Sequence, residues 1–93
     1  MSCAIFSSVA SANDEQGKNL FLKAAVPACA ICHTLEAAGA VGAVGPSMND
    51  LQPDAARVMN AIKNGIGQMP AYPNLTPDQI KILSEYVASA SRK

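Results

Sequence analysis

Tryptophan is missing from this chain of 93 residues, and Phe and Tyr together supply only 4% of it. A core built from such residues lacks the large side chains that usually fill one. Charge of one sign is missing too, because seven Lys+Arg balance seven Asp+Glu. Nucleic acid is therefore an unfit partner, since phosphate binding needs a basic surplus gathered on one face. No apolar run approaches the roughly 18 residues that cross a bilayer, so no membrane span is expected. No segment alternates as a half-buried strand does, and there is no internal repeat or block of like charge. What remains is apolar but small: 49% of residues are hydrophobic, and 17 are alanine. One domain of this length with so thin a core usually needs a staple, whether disulfides, a metal or a bulky cofactor.

Residues 1–12, MSCAIFSSVASA, end in Ala10-Ser11-Ala12, the A-x-A shape of a signal-peptidase site, with the polar run Asn13-Asp14-Glu15-Gln16 behind it. The stretch has no basic start and is short, so it reads as the remnant of an export signal or as a flexible arm. Cleavage there would remove Cys3. Asn13 is placed to cap a helix over residues 14–26, whose apolar face is Gly17, Leu20, Phe21, Ala24 and Ala25, and Pro27 ends it. Residues 36–45, EAAGAVGAVG, lack a helical period and read as a loop lying against something apolar. A middle helix fits between a capping Asp54 and Gly65 at the C′ position, with Ala55, Val58, Met59 and Ile62 on one face. Thr76-Pro77-Asp78-Gln79 carries the strongest start signal, opening a helix to about Ala90 whose face is Ile80, Leu83, Val87 and Ala90, with Tyr86 beside them. The pattern is three helices joined by long loops.

Cys29-Ala30-Ile31-Cys32-His33 is a C-x-x-C-H sequence, the attachment signal of c-type haem. Two thiols on one tight helical turn can each reach a different vinyl group of one porphyrin and form thioethers. The next side chain is then aimed at the iron. The ring would bring on the order of several hundred Å² of apolar surface into a core that alanine cannot fill. Other readings compete. A structural zinc site needs a full tetrahedral ligand set, and beyond Cys29, Cys32 and His33 only the distant Cys3 remains. A thioredoxin-like redox pair needs a preceding strand and a βαβ frame. A plain Cys29–Cys32 disulfide leaves the small core unexplained.

His33 is the only histidine in the sequence, so without a partner chain the sixth position on an iron falls to Met, Lys, water or nothing. Met59 lies on the apolar stripe of the middle helix and reads as core filler. Met48 follows Gly45-Pro46-Ser47 and is expected to pack on the ring. Met69, in Gly67-Gln68-Met69-Pro70, sits outside any helix where a thioether has no core role, and it is the expected axial ligand. A soft thioether favours Fe(II) and raises the reduction potential.

Taken together, residues 13–93 resemble a class I c-type cytochrome. That family is all-α, with three main helices, amino- and carboxy-terminal helices that cross, and a haem filling the core. Its crossing pairs a Gly and an aromatic on one helix with a Leu and an aromatic on the other; Gly17 and Phe21 match the first pair, and Leu83 and Tyr86 the second. Its Gly-Pro after the haem motif matches Gly45-Pro46, which implies that the Pro46 carbonyl accepts the N–H of His33. Where the family commonly has Leu, this chain has Met48, and Met69 to Tyr72 resembles the ligand loop of small bacterial members. His33 and Met69 are 36 positions apart, shorter than in mitochondrial relatives, which leaves the propionate partners open between Arg57, Lys63 and neither.

The resemblance implies one covalently attached haem c, held by Cys29 and Cys32 with His33 and Met69 on the iron and Pro46 and Met48 beside it. It implies a periplasmic one-electron carrier rather than an enzyme. Its partners would be a periplasmic dehydrogenase as donor and an oxidase or another cytochrome as acceptor. The short loops look like those of small cytochromes that serve molybdenum sulfite dehydrogenases. The expected docking rim is Ala28, Ala30, Ile31, Gly67, Gln68, Ala71 and Tyr72, a neutral surface, since Lys18, Lys23, Lys63, Lys81 and Lys93 are scattered. Two readings compete: a haem enzyme or gas sensor with a labile sixth ligand, and a permanent haem subunit of a larger dehydrogenase.

Overall fold

The computed structural model describes residues 11–93. Most of the segment expected as an export-signal remnant or arm, and Cys3 with it, lies outside the described residues. Helix α1 (Ser11–Asn19) runs into a π-helical turn at Leu20–Ala24. After it come the single turn α2 (Cys29–Cys32), strand β1 (Thr34–Leu35), a 3-10 turn at Glu36–Ala38 and strand β2 (Ala40–Val41). Helices α3 (Met48–Leu51), α4 (Ala55–Asn64) and α5 (Pro77–Ala90) complete the chain, which is mostly helical.

α5 forms where its start signal places it. The Gln79 N–H donates to Thr76 Oγ1 at 3.1 Å, and the Thr76 N–H donates to Gln79 Oε1 at 2.9 Å, a reciprocal cap with Pro77 in the first turn. Such a cap contributes about 1 kcal/mol. Ile80, Leu83, Tyr86, Val87 and Ala90 are then buried on one side of the helix. α1 meets that side through Gly17: a Cβ there would overlap Tyr86 Cβ and stand 2.7 Å from Tyr86 Cγ. The absence of a side chain lets the two backbones approach, and Phe21 and Leu83 are each 1% exposed in the same core. Burying each of these two side chains is worth about 1.5–3 kcal/mol. Of the residues expected at this crossing, Gly17 lies against Tyr86, and Phe21 and Leu83 are both buried.

The helix boundaries differ from the sequence reading at the amino-terminal end. Asn13 lies within α1 instead of capping it. Helical structure stops at Ala24, where the Ala25 N–H donates back to Leu20 O across a wide turn and Ala25 is already extended.

The stretch read as a loop over residues 36–45 is more ordered than its composition suggests. β1 and β2 pair antiparallel, Thr34 with Val41 and Leu35 with Ala40, around a turn closed by Gly39 at φ +69°. Strands of two residues each are too short to show alternation, which is why the all-helical reading lacked them. α3 was also missed. It is one turn long, begins at a Ser47 cap and ends on Gln52 in a left-handed conformation, φ +48°. Arg92, just past α5, fastens that turn to the carboxy-terminal end by donating to Gln52 O at 2.7 Å and Pro53 O at 3.0 Å.

Candidate functional site

The C-x-x-C-H motif forms α2 and the residue after it. The His33 N–H donates to Cys29 O at 3.0 Å, so both thiols sit on one turn, and His33 leaves the helix in extended conformation. The following chain packs back on this turn. Gly42 lies so close that a Cβ would stand 2.6 Å from Ala30 O and 2.7 Å from Ile31 O, and the Thr34 hydroxyl donates to Gly42 O at 2.9 Å. The Gly45 N–H donates to Cys32 O at 2.6 Å, and any Cβ on Gly45 would overlap His33 Cε1.

His33 Nδ1 lies 2.8 Å from Pro46 O. A carbonyl only accepts, so Nδ1 is the donor; in the neutral ring this places the lone pair on Nε2, the tautomer an iron ligand needs. The bond to Pro46 fixes the orientation of the ring.

A cavity of about 630 Å³ opens against this turn. Its lining comes from the motif (Cys29, Cys32, His33), from Gly45, Pro46 and Met48, from the inner side of α4 (Arg57, Val58, Ala61) and from the chain after it (Ile66, Gln68, Met69, Tyr72). Cys29, Cys32, His33, Pro46, Met48 and Met69, named separately from the sequence, all border this one space. Met59 does not line it and packs against the core instead. Met48 is buried at the start of α3. Met69 is held in a tight turn: the Ile66 N–H donates to Met69 O at 3.0 Å and the Met69 N–H donates to Ile66 O at 2.9 Å, with Gly67 supplying φ +57°.

Burial pushes the Cys29 thiol up to about 11, despite smaller lowering effects from its backbone and the Tyr72 hydroxyl. Dithiol redox centres work through a thiolate of lowered pKa, so this thiol is shifted away from that chemistry. Among the described residues no three His, Cys, Asp or Glu side chains converge as ligands on one point, which also disfavours the zinc reading. The donor set does suit a haem. Two thiols share a turn, one imidazole is held through its Nδ1, two thioethers border the space, and the cavity falls in the range of about 300–1,000 Å³ usual for ligand sites.

Two expectations about the rim change. Tyr72 is buried, 7% exposed, with its hydroxyl donating to Pro27 O at 2.6 Å, so it does not belong to a docking surface. Arg57 lines the cavity and Lys63 does not. Sequence reasoning missed Ile66 and Val44, which border the cavity yet are 67% and 74% exposed. Neither lies on a periodic face, so no pattern singled them out. Ile31, Gly67, Gln68 and Ala71 are exposed as expected.

Residues 12–87 match the family described as cytochrome c oxidase, cbb3-type, subunit III, and the chain belongs to this cytochrome c family. It is an electron-transfer family whose members carry haem c. Among solved structures, the chain is similar to the c-type cytochrome SorU from Sinorhizobium meliloti, with 44% identity and a TM-score of 0.84 over 87% of this chain and 93% of that one. No curated protein matches it. No helix among the described residues is long and apolar enough to cross a membrane.

Proposed function

We propose that residues 13–93 form a class I c-type cytochrome that carries single electrons on one haem c, joined to Cys29 and Cys32 by thioethers and ligated by His33 and Met69. One observation carries this reading. The C-x-x-C-H turn borders the 630 Å³ cavity with its histidine already locked by Pro46 in the ligand tautomer. The haem supplies the reversible Fe(III)/Fe(II) couple. The chain's own residues do the rest. Pro46 orients His33 and keeps it electron-rich, Met69 favours the reduced state, and Met48 and Val58 keep water from the space. Arg57, the one charged side chain bordering the cavity among the described residues, would face a propionate.

The rim supports transient docking. Ile31, Val44 and Ile66 are exposed and apolar, and no lysine lines the cavity. The donor we propose is a periplasmic dehydrogenase, a sulfite dehydrogenase in particular, with an oxidase or another cytochrome as acceptor. The signal-like residues 1–12 fit a periplasmic location. A second reading, a haem subunit in a permanent complex, draws support from the oxidase-subunit description of the matched family; co-purification with a partner at stoichiometric yield would establish it over a free carrier.

The ligand assignment is tested by optical spectra. Ferric protein should show the weak far-red band of a thioether–iron bond, and Met69→Ala should lose it and make the ferrous form bind CO. If the band survives in Met69→Ala and disappears in Met48→Leu, the sixth position belongs to Met48.

A further inference from the structure

Tyr72 is the buried polar group for which the electron-carrier reading has no use. It stands three residues after Met69, at the end of the turn that presents the thioether. Its backbone N–H donates to Ile62 O at 2.8 Å, which fixes the chain to the last turns of α4. Its hydroxyl crosses to the other side of the sequence, 45 residues away, and donates to Pro27 O at 2.6 Å. Pro27 leads directly into the Cys29 turn, and Tyr72 also lines the cavity together with Cys29. One side chain therefore ties the segment carrying Met69 to the segment carrying the thioether cysteines.

We infer that Tyr72 is a positioning residue: its hydroxyl, bonded to the Pro27 carbonyl, clamps the Met69 turn over the cavity and sets how readily Met69 leaves the iron. The inference rests on Met69 being the sixth ligand. The turn has little else to hold it. Ile66, Gly67, Gln68, Pro70 and Ala71 are all exposed, and among the described residues the hydroxyl bond is the hydrogen bond that joins residues 66–72 to the motif segment. Removing a buried neutral hydrogen bond shifts an opening equilibrium by up to about tenfold.

Tyr72→Phe keeps the ring and deletes only the hydroxyl. It should retain the far-red band, while CO binds its ferrous form about fivefold to tenfold faster than wild type. Val87→Ala, in α5 and away from the cavity lining, is the control for general loosening: it should lower the denaturant midpoint without speeding CO binding. Equal CO rates in wild type and Tyr72→Phe, with Met69→Ala still abolishing the band, would overturn the clamp and leave the ligand reading intact. Equal acceleration in Tyr72→Phe and Val87→Ala would overturn it as well. If wild type shows no far-red band, the ligand reading fails by itself. The clamp is then read from amide exchange over residues 66–72, faster in Tyr72→Phe if the clamp exists and unchanged if it does not.

Discussion

The pair formed by α1 and α5 and the stretch from Pro27 to Tyr72 are held together by different means. The helix pair closes through burial, with Gly17 against Tyr86 and Phe21 and Leu83 in the core, and a long ion pair, Lys93 to Asp14 at 3.9 Å, lies at the surface and adds little. The intervening stretch surrounds a cavity; it reaches the shared core through Leu35, Met48 and Ile62, and polar bonds tie its segments: His33 to Pro46, the Glu36 N–H to Asn49 Oδ1 at 2.8 Å, Tyr72 to Pro27, and Arg92 to Gln52 and Pro53. A helix pair of this kind is stable by burial. A wall around a cavity gains stability when something apolar fills it, because unfilled space forfeits the contacts its lining would make. Substitutions in the two regions should therefore fail in different ways.

The largest effect is expected at the motif. Cys29→Ala or Cys32→Ala should reduce the yield of haem-loaded protein severely, measured as haem absorbance per mole of chain, while the helix pair loses no contact of its own. Gly45→Val should act in the same direction, since its side chain would occupy the place of the His33 ring. On the other side of the comparison, Gly17→Val forces α1 away from Tyr86. It should cost about 1–3 kcal/mol in denaturant unfolding of the loaded protein, with the reduction potential unchanged. A potential that moved with Gly17 would show that the two regions are not separable.

Smaller effects sharpen the contrast. Arg57→Leu removes the charge bordering the cavity, so the ferric state gains relative to the ferrous and the potential should fall. An exposed pair worth about 1 kcal/mol or less corresponds to some tens of millivolts for one electron. Ser84, wholly buried in α5, has a hydroxyl with no hydrogen-bond partner among the described residues. Ser84→Ala should leave the potential alone and raise stability by about 1 kcal/mol. Alkaline pH acts on the wall. Burial, with smaller contributions from Cys29 and Cys32, raises the Tyr72 hydroxyl from 10 to about 12. Across that window the folded chain keeps a proton that the unfolded chain releases, so stability falls as pH rises. Tyr72→Phe should flatten the decline between pH 10 and 12 in an unfolding titration.

The same division explains what could be read from the residues alone. α5, α4 and the Gly17–Tyr86 contact were legible because caps and apolar periodicity are local signals, and Asp54 and Thr76 cap where expected. That Cys29, Cys32, His33, Met48 and Met69 would border one space was legible because their chemistry is rare and the spacing of the motif tight. The β1–β2 pair, α3, the Arg92 bonds and the burial of Tyr72 were not, because each depends on a contact with a distant part of the chain. Arg92 reaches back 40 residues to Gln52, and nothing in the order of residues around either one announces that bond.

The central claim is that the cavity beside Cys29, Cys32 and His33 is filled by a haem bonded to the chain. Denaturing the loaded protein in acidified organic solvent and weighing the intact polypeptide tests it most directly. The account predicts that the colour stays with the polypeptide, whose mass exceeds that of the bare chain by one haem. Haem passing into the solvent, with the chain at its unmodified mass, would contradict it.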